Sequence, residues 1–355
     1  MMIMRQRLSF VLLLIATTSF AQQKNAEDVF KNITHLKGTP AEQLMPSMQF
    51  ISASLGVECS FCHVQGKMDA DDNSHKKVAR SMIAMTAELN KASFSGNQTV
   101  TCFTCHQGLN HPNRIPAVEG PFATRAAAPP AGATPPPAKT ADEILTRYIT
   151  AMGGEEAIRK ITSRVQIGDV EVGATATPIE IVTQAPNKRI SISKGAHGAD
   201  SITAFDGTAG WMGATGRPSR PMAAAESWAA GMDAEFYFGL RIKEIFAGAA
   251  LRVSRGVSKV NGFDCDVLTA TAPNGLPVRL YFDRETGLLA RLVRFAQTPV
   301  GPNPTQIDYA DYRVSDGVKI PFRWTLARPN GRFAIQVASV KNNAEVDAAR
   351  FVNKP

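Results

Sequence analysis

Hydrophobic positions along this chain change their spacing twice. Between residues 26 and 112 they recur at helical intervals. In "TPAEQLMPSMQFISASLGVEC" Pro46 can open a helix in its first turn and Gly56 can close it, with Met48, Ile51 and Leu55 on one face. In "SHKKVARSMIAMTAELNKASF" Val78, Met82, Met85 and Leu89 form a second helical stripe. Beyond Ala141, "ADEILTRYITAMGG" predicts a helix with Ile144, Leu145, Tyr148, Ile149 and Met152 inward, stopped by Gly153 and Gly154. "EEAIRKI" adds another turn or two. From there the period becomes two. "VQIGDVEV", "IEIVTQ", "RISISK", "SITAFDG", "LRVSRGVSKV", "DCDVLTATA", "VRLYFD", "LLARLVRFAQ", "TQIDYADYRV", "IPFRWTLARP" and "FAIQVASVK" read as strands, separated by turns such as "APNK", "APNG", "DRETG" and "SDG". A helical interruption runs from about Met222 to Ala247. The pattern predicts a meandering antiparallel sheet, strongly curved or nearly closed, with helices over one face.

Composition divides the chain further. Residues 1–21 read as a signal peptide: Arg5 and Arg7, then "LSFVLLLIATTSF", then Ser19 and Ala21 before a cut. Residues 22–112 form a helical unit. Residues 113–140, with "AAAPPAGATPPPAKT", read as an Ala/Pro-rich linker of polyproline character. Residues 141–355 form the β-rich unit. The expected class is multidomain α+β, and the expected compartment is the periplasm. A net charge of +8 without a dense Lys/Arg run excludes nucleic acid as the expected partner.

Five cysteines matter more than the charge. Cys59 and Cys62 precede His63, and Cys102 and Cys105 precede His106, as "CSFCH" and "CFTCH". C-x-x-C-H is the attachment signature of c-type haem: two thiols add across the two vinyl groups, and the following imidazole binds iron from below. Disulfides, the default for exported cysteines, leave the repeated histidine unexplained. A four-thiolate zinc site suits a reducing compartment, and a thioredoxin-like pair needs a βαβ setting. Two covalent haems with His63 and His106 as proximal ligands are therefore expected. Cys265 reads as a buried, inert thiol.

A low-spin haem needs a sixth ligand. On spacing alone Met48 competes with Met45, and Met82 with Met85; His35, His75 and His111 are further candidates. The stretches "MQFISASLGVECSFCH" and "VARSMIAMTAELN…VTCFTCHQG" resemble the tetrahaem cytochrome c subunit of photosynthetic reaction centres over residues ~28–115. In that family three haems each take a methionine from the helix before the attachment motif. The resemblance implies Met48 for the first haem and Met82, with Met85 as the alternative, for the second. It departs from the family in having two motifs rather than four, and Gln107 where arginine is common.

"FDGTAGWMG", "VNGFDCDVLTA" and "VRLYFDRETGLLARL…DYADYRVSDGVKIPFRW" resemble the exported lipoprotein-carrier family. That resemblance implies a curved antiparallel half-barrel with covering helices and an apolar ligand in its hollow. No Ser/His/Asp triad, carboxylate pair or phosphate-binding loop stands out. The expected role is electron transfer between redox proteins in the periplasm or at the membrane surface, by a carrier more than a catalyst. The alternatives are a dihaem peroxidase-like oxidoreductase and a redox-sensing lipid-binding protein.

Overall fold

The structure, a computed structural model, describes residues 24–112, 139–195, 200–246, 251–254, 257–329 and 331–352. The signal-peptide and cleavage assignments, nearly all of the linker and His197 lie outside the described residues.

The helical part contains α1 (Ala26–Val29), α2 (Ala41–Leu55), α3 (Ser74–Ser93) and α4 (Cys102–His106), with a 3-10 turn at Cys59–Phe61. Helix α2 begins five residues before the start that the sequence suggests, so Pro46 lies inside it. The proline forgoes one backbone bond, the cost expected of its missing N–H. Gly56 closes α2 in the left-handed conformation, as its sequence position implies. The buried face of α2 is Leu44, Ser47, Phe50 and Ser54. Both serines satisfy their hydroxyls locally: Ser47 Oγ donates to the Gln43 carbonyl and Ser54 Oγ to the Phe50 carbonyl, each at 2.7 Å. Ala26, Leu36, Leu44 and Phe50 form a small core with one distant residue, Val300.

The rest is one continuous antiparallel sheet behind two helices, α5 (Ala141–Ala151) and α6 (Glu155–Lys160). Its first six strands are β1 (Ser163–Val172), β2 (Thr175–Gln184), β3 (Lys188–Ser193), β4 (Ser201–Phe205), β5 (Gly210–Ala214) and β6 (Arg217–Pro221). After α7 (Ala224–Ala234) and α8 (Phe238–Ile245) come the short β7 (Arg252–Val253) and β8 (Ser258–Val260), then β9 (Phe263–Thr271) and β10 (Pro277–Asp283). β11 (Leu289–Ala296), β12 (Asn303–Ser315), β13 (Val318–Arg328) and β14 (Gly331–Asn342) complete it. The order is β6-β5-β4-β3-β2-β1-β14-β13-β12-β11-β10-β9-β7, with β8 also on β9; among the described residues it is curved but does not close.

The predicted strands are present, and the helical interruption resolves into α7 and α8. The single strand read in "LRVSRGVSKV" is two short ones. β5 and β6 went unread because "GWMGATGRPSRP" looks like turn; β6 is an edge strand, where proline is tolerated.

Helices α5, α7 and α8 fill one face of the sheet. Ile144, Leu145, Tyr148, Met232 and Ile242 pack on Leu268, Val278, Leu280 and Phe282. One cavity, between α5, Phe236 and β13, measures about 60 Å³, below the size of an ordinary ligand pocket, and a second of about 330 Å³ is lined by Ile190, Ile192, Ile202 and Trp211. Cys265 is fully buried, and burial pushes its thiol pKa up, in keeping with an inert thiol. No helix among the described residues is long and apolar enough to cross a membrane.

Candidate functional site

Both CxxCH motifs adopt a helical turn. In the first, the Cys62 and His63 amides donate to the Cys59 carbonyl at 3.3 and 3.0 Å. In the second, residues 102–106 are α4, preceded by Thr101, whose amide donates to Thr104 Oγ1 at 3.0 Å. A helical turn brings residues i, i+3 and i+4 to one side, so each pair of thiols and its histidine share a face. All four thiols are free. Burial, with the neighbouring Cys59, pushes the Cys62 thiol pKa up, and burial does the same for Cys102. Among the described residues no three His, Cys, Asp or Glu side chains converge on a metal-sized site. The four sulfurs do not form the tetrahedral cluster that a structural zinc ion needs.

The two histidines are held alike. His63 Nδ1 lies 2.8 Å from the Met68 carbonyl, and His106 Nδ1 lies 2.9 Å from the Leu109 carbonyl. A carbonyl only accepts, so each Nδ1 carries the proton and each Nε2 keeps its lone pair for a metal. This is the outer hydrogen bond that fixes ring and tautomer in metal-ligating histidines.

Neighbouring polar groups fix the Met68 carbonyl and the approach to the second motif. Lys76 is buried, and its Nζ donates to the Met68 and Ala70 carbonyls at 3.1 and 2.7 Å. Asp71 accepts from Arg80 at 2.8 Å and Asn32 at 2.9 Å. The Arg80 guanidinium, then Asn32, hold its carboxyl pKa down at about 2. Asn90, buried at the end of α3, accepts from the Thr99 and Val100 amides and donates to the Val100 carbonyl. It ties α3 to the strand of chain entering the second motif. None of Lys76, Asp71 or Asn90 stood out in the sequence; only Asn90, as the last residue of the methionine-bearing stretch, had a usable signal.

The methionine stripe of α3 is open. Val78, Met82, Met85 and Leu89 on α3 are exposed by 56%, 41%, 48% and 41%, an uncovered apolar line on an otherwise polar helix. On α2, Met48 and Ile51 are half-buried and pack on the same small core as Cys102, and Leu55 is half-buried, whereas Met45 is exposed. Large apolar groups in a line favour a flat apolar partner that removes them from water. The residues present therefore fit haem: paired thiols, an imidazole with a free Nε2, and an apolar wall bearing methionine. Met82 and Met85 stand on the same exposed stripe. His35 bonds Thr34 Oγ1 at 2.9 Å, His75 stacks on Phe61 at 4.1 Å, and His111 is exposed.

The second motif also meets the helix that leads to the first. The Gly108 amide donates to the Ser54 carbonyl at 2.9 Å, and α2 packs on α4. Each motif thus follows a methionine-bearing helix, and the end of the second motif sits on the helix that leads to the first.

Residues 13–146 match the sequence model of the photosynthetic reaction centre cytochrome C subunit family. The helical part of this chain resembles that family. Similar curated proteins include cytochrome c-554 of Chloroflexus aurantiacus, 32% identical over 91 residues, covering 24% of this chain and 21% of that protein. The photosynthetic reaction center cytochrome c subunit of Roseobacter denitrificans is 29% identical over 100 residues, covering 25% of this chain and 27% of that one. The chain thus spans about a quarter of these relatives' length. Among solved structures, the LolA superfamily protein NE2245 of Nitrosomonas europaea is similar at 11% identity and TM-score 0.42, covering 61% of this chain and 98% of that one. A DUF1329 family protein of Desulfovibrio piger is similar at 11% identity and TM-score 0.41, covering 59% and 96%.

Proposed function

We propose that this chain is an exported c-type cytochrome that binds two haems covalently and passes electrons between redox proteins in the periplasm. The observation that carries the reading is the repeated histidine geometry: two CxxCH turns, each with Nδ1 tied to a carbonyl and Nε2 left free. When bound, haem supplies the one-electron change between Fe(III) and Fe(II).

The chain's own residues do the rest. Cys59 and Cys62 would hold one haem and Cys102 and Cys105 the other. His63 and His106 would bind iron on one side, and Met48 and Met82 on the other. Thioether ligation opposite histidine raises the reduction potential. The stripes on α2 and α3 would wall the rings from water, which tunes the potential further. The Gly108–Ser54 contact supports close spacing of the two haems, hence direct exchange between them. The reaction-centre relatives make a membrane-bound redox partner the natural donor or acceptor.

The test is expression in a host that matures c-type cytochromes. The pyridine haemochrome should report two haems per chain, retained after denaturation. Met48→Ala and Met82→Ala should each remove the weak sulfur-to-iron absorption band of one haem. A colourless protein containing zinc would overturn the reading.

A further inference from the structure

The small core of the helical part is completed from the far end of the chain. Between β11 and β12 the tip "QTPVGP" reaches α2. Val300 is 8% exposed and packs in the cluster of Ala26, Leu36, Leu44 and Phe50. Gly301, at φ +147, presents its bare Cα to the edge of the Phe50 ring; a Cβ there would meet Cζ at 2.5 Å and Cε1 at 2.9 Å. Polar contacts flank this apolar plug. Asn303 Nδ2 donates to Gln49 Oε1 at 3.2 Å. Gln98 Nε2 donates to the Thr298 carbonyl, and Gln297 Nε2 to Gln98 Oε1, both at 2.9 Å. The tip is braced within itself: Thr298 is fully buried, and its hydroxyl donates to the Gly301 carbonyl at 2.5 Å.

The contact falls on one place in α2. Gln49 and Phe50, which the tip grips, directly follow Met48. Val300 takes part in the same cluster against which Met48 packs. Interiors are close-packed and transmit a shift rather than absorb it, so moving the tip moves this turn of helix. An axial bond tolerates little such movement.

We propose that the β11–β12 tip is the seat of α2 and sets the position of Met48 on the first haem, making Val300, Gly301 and Asn303 positioning residues for a ligand some 250 residues away in sequence. The proposal rests on the assignment of Met48 as an axial ligand. It gives the sheet a part in tuning that haem which no motif in the sequence announces.

The test uses the full matured chain in four variants. Met48→Ala is the reference. Gly301→Ala overfills the Phe50 contact, and Val300→Ala only empties part of the plug, which keeps the test usable if the first variant does not fold. Val278→Ala, in the core of β10, weakens the sheet away from the tip. Each is read by the sulfur-to-iron band, by potentiometric titration and by haem content. Gly301→Ala and Val300→Ala should weaken the band that Met48→Ala abolishes and lower the same haem's potential, at unchanged haem content. Val278→Ala should lower thermal stability and leave band and potential alone. A wild-type band and potential in both tip variants, alongside loss in Met48→Ala, would overturn the proposal. A wild-type band in Met48→Ala would instead overturn the ligand assignment and the proposal with it.

Discussion

The carbonyl of Gly108 occupies the place where a side chain on Gly56 would begin: a Cβ at Gly56 would overlap the Gly108 oxygen and lie 2.9 Å from its carbonyl carbon. The end of the second CxxCH motif therefore rests on the turn that introduces the first. Gly56 is required both by its left-handed φ of +66 and by this approach.

Gly56→Ala should consequently cost more than Gly38→Ala. Gly38 also has a positive φ, of +74, but has nothing within 4 Å of an added Cβ. Gly38→Ala should lose about 1 kcal/mol for conformation alone. Gly56→Ala should lose that and a further increment for displacing a backbone carbonyl. Urea unfolding of the two variants compares them directly; equal losses would mean that the motifs are not locked together.

The exposed stripe on α3 offers two methionines, and the family resemblance selects the first. Met82→Ala should remove one haem's sulfur-to-iron band, and Met85→Ala should leave both bands. Spectra of the two oxidised variants decide it, and the opposite pattern assigns Met85.

Asp71 makes stability depend on acid. Its carboxyl pKa, about 2 in the folded chain, lies below the unfolded value of about 4. A depressed carboxylate stabilises the fold fully above the unfolded pKa, and that contribution disappears as pH falls from about 4 to about 2. Asp71→Asn should flatten the loss of stability across this window, measured by unfolding at a series of acid pH values. An unchanged slope would show that the Arg80 and Asn32 contacts do not persist in solution.

In the sheet, Arg294 is buried at 7% side-chain exposure and pairs with Asp233 of α7 through its two terminal guanidinium nitrogens. Asp233→Asn strands the cation and should cost about 3 kcal/mol of unfolding free energy. A loss under about 1 kcal/mol would mean that water reaches the pair.

Local chemistry was legible in the sequence, and long-range contact was not. The CxxCH motifs, the stripe of α3, Gly56 and the alternating strands all follow from spacing within one element, whereas the buried face of α2 is Leu44, Ser47, Phe50 and Ser54 and not the line of Met48, Ile51 and Leu55. Pro46 misled because proline is commonest in the first turn, yet α2 tolerates it one turn further in. β5 and β6 were hidden by glycines and prolines that an edge hairpin accepts. The buried Lys76 that holds the His63 carbonyl partner, and Val300 in the core of the helical part, depend on tertiary placement that no period encodes.

A haem count tests the two-haem assignment most directly. Protein matured in a c-type cytochrome host, denatured and assayed as the pyridine haemochrome, should give two haems per chain that remain attached to it. One haem per chain would refute the paired arrangement. A colourless chain, with its four motif thiols bound to zinc or joined as disulfides, would show that the chain is not a c-type cytochrome.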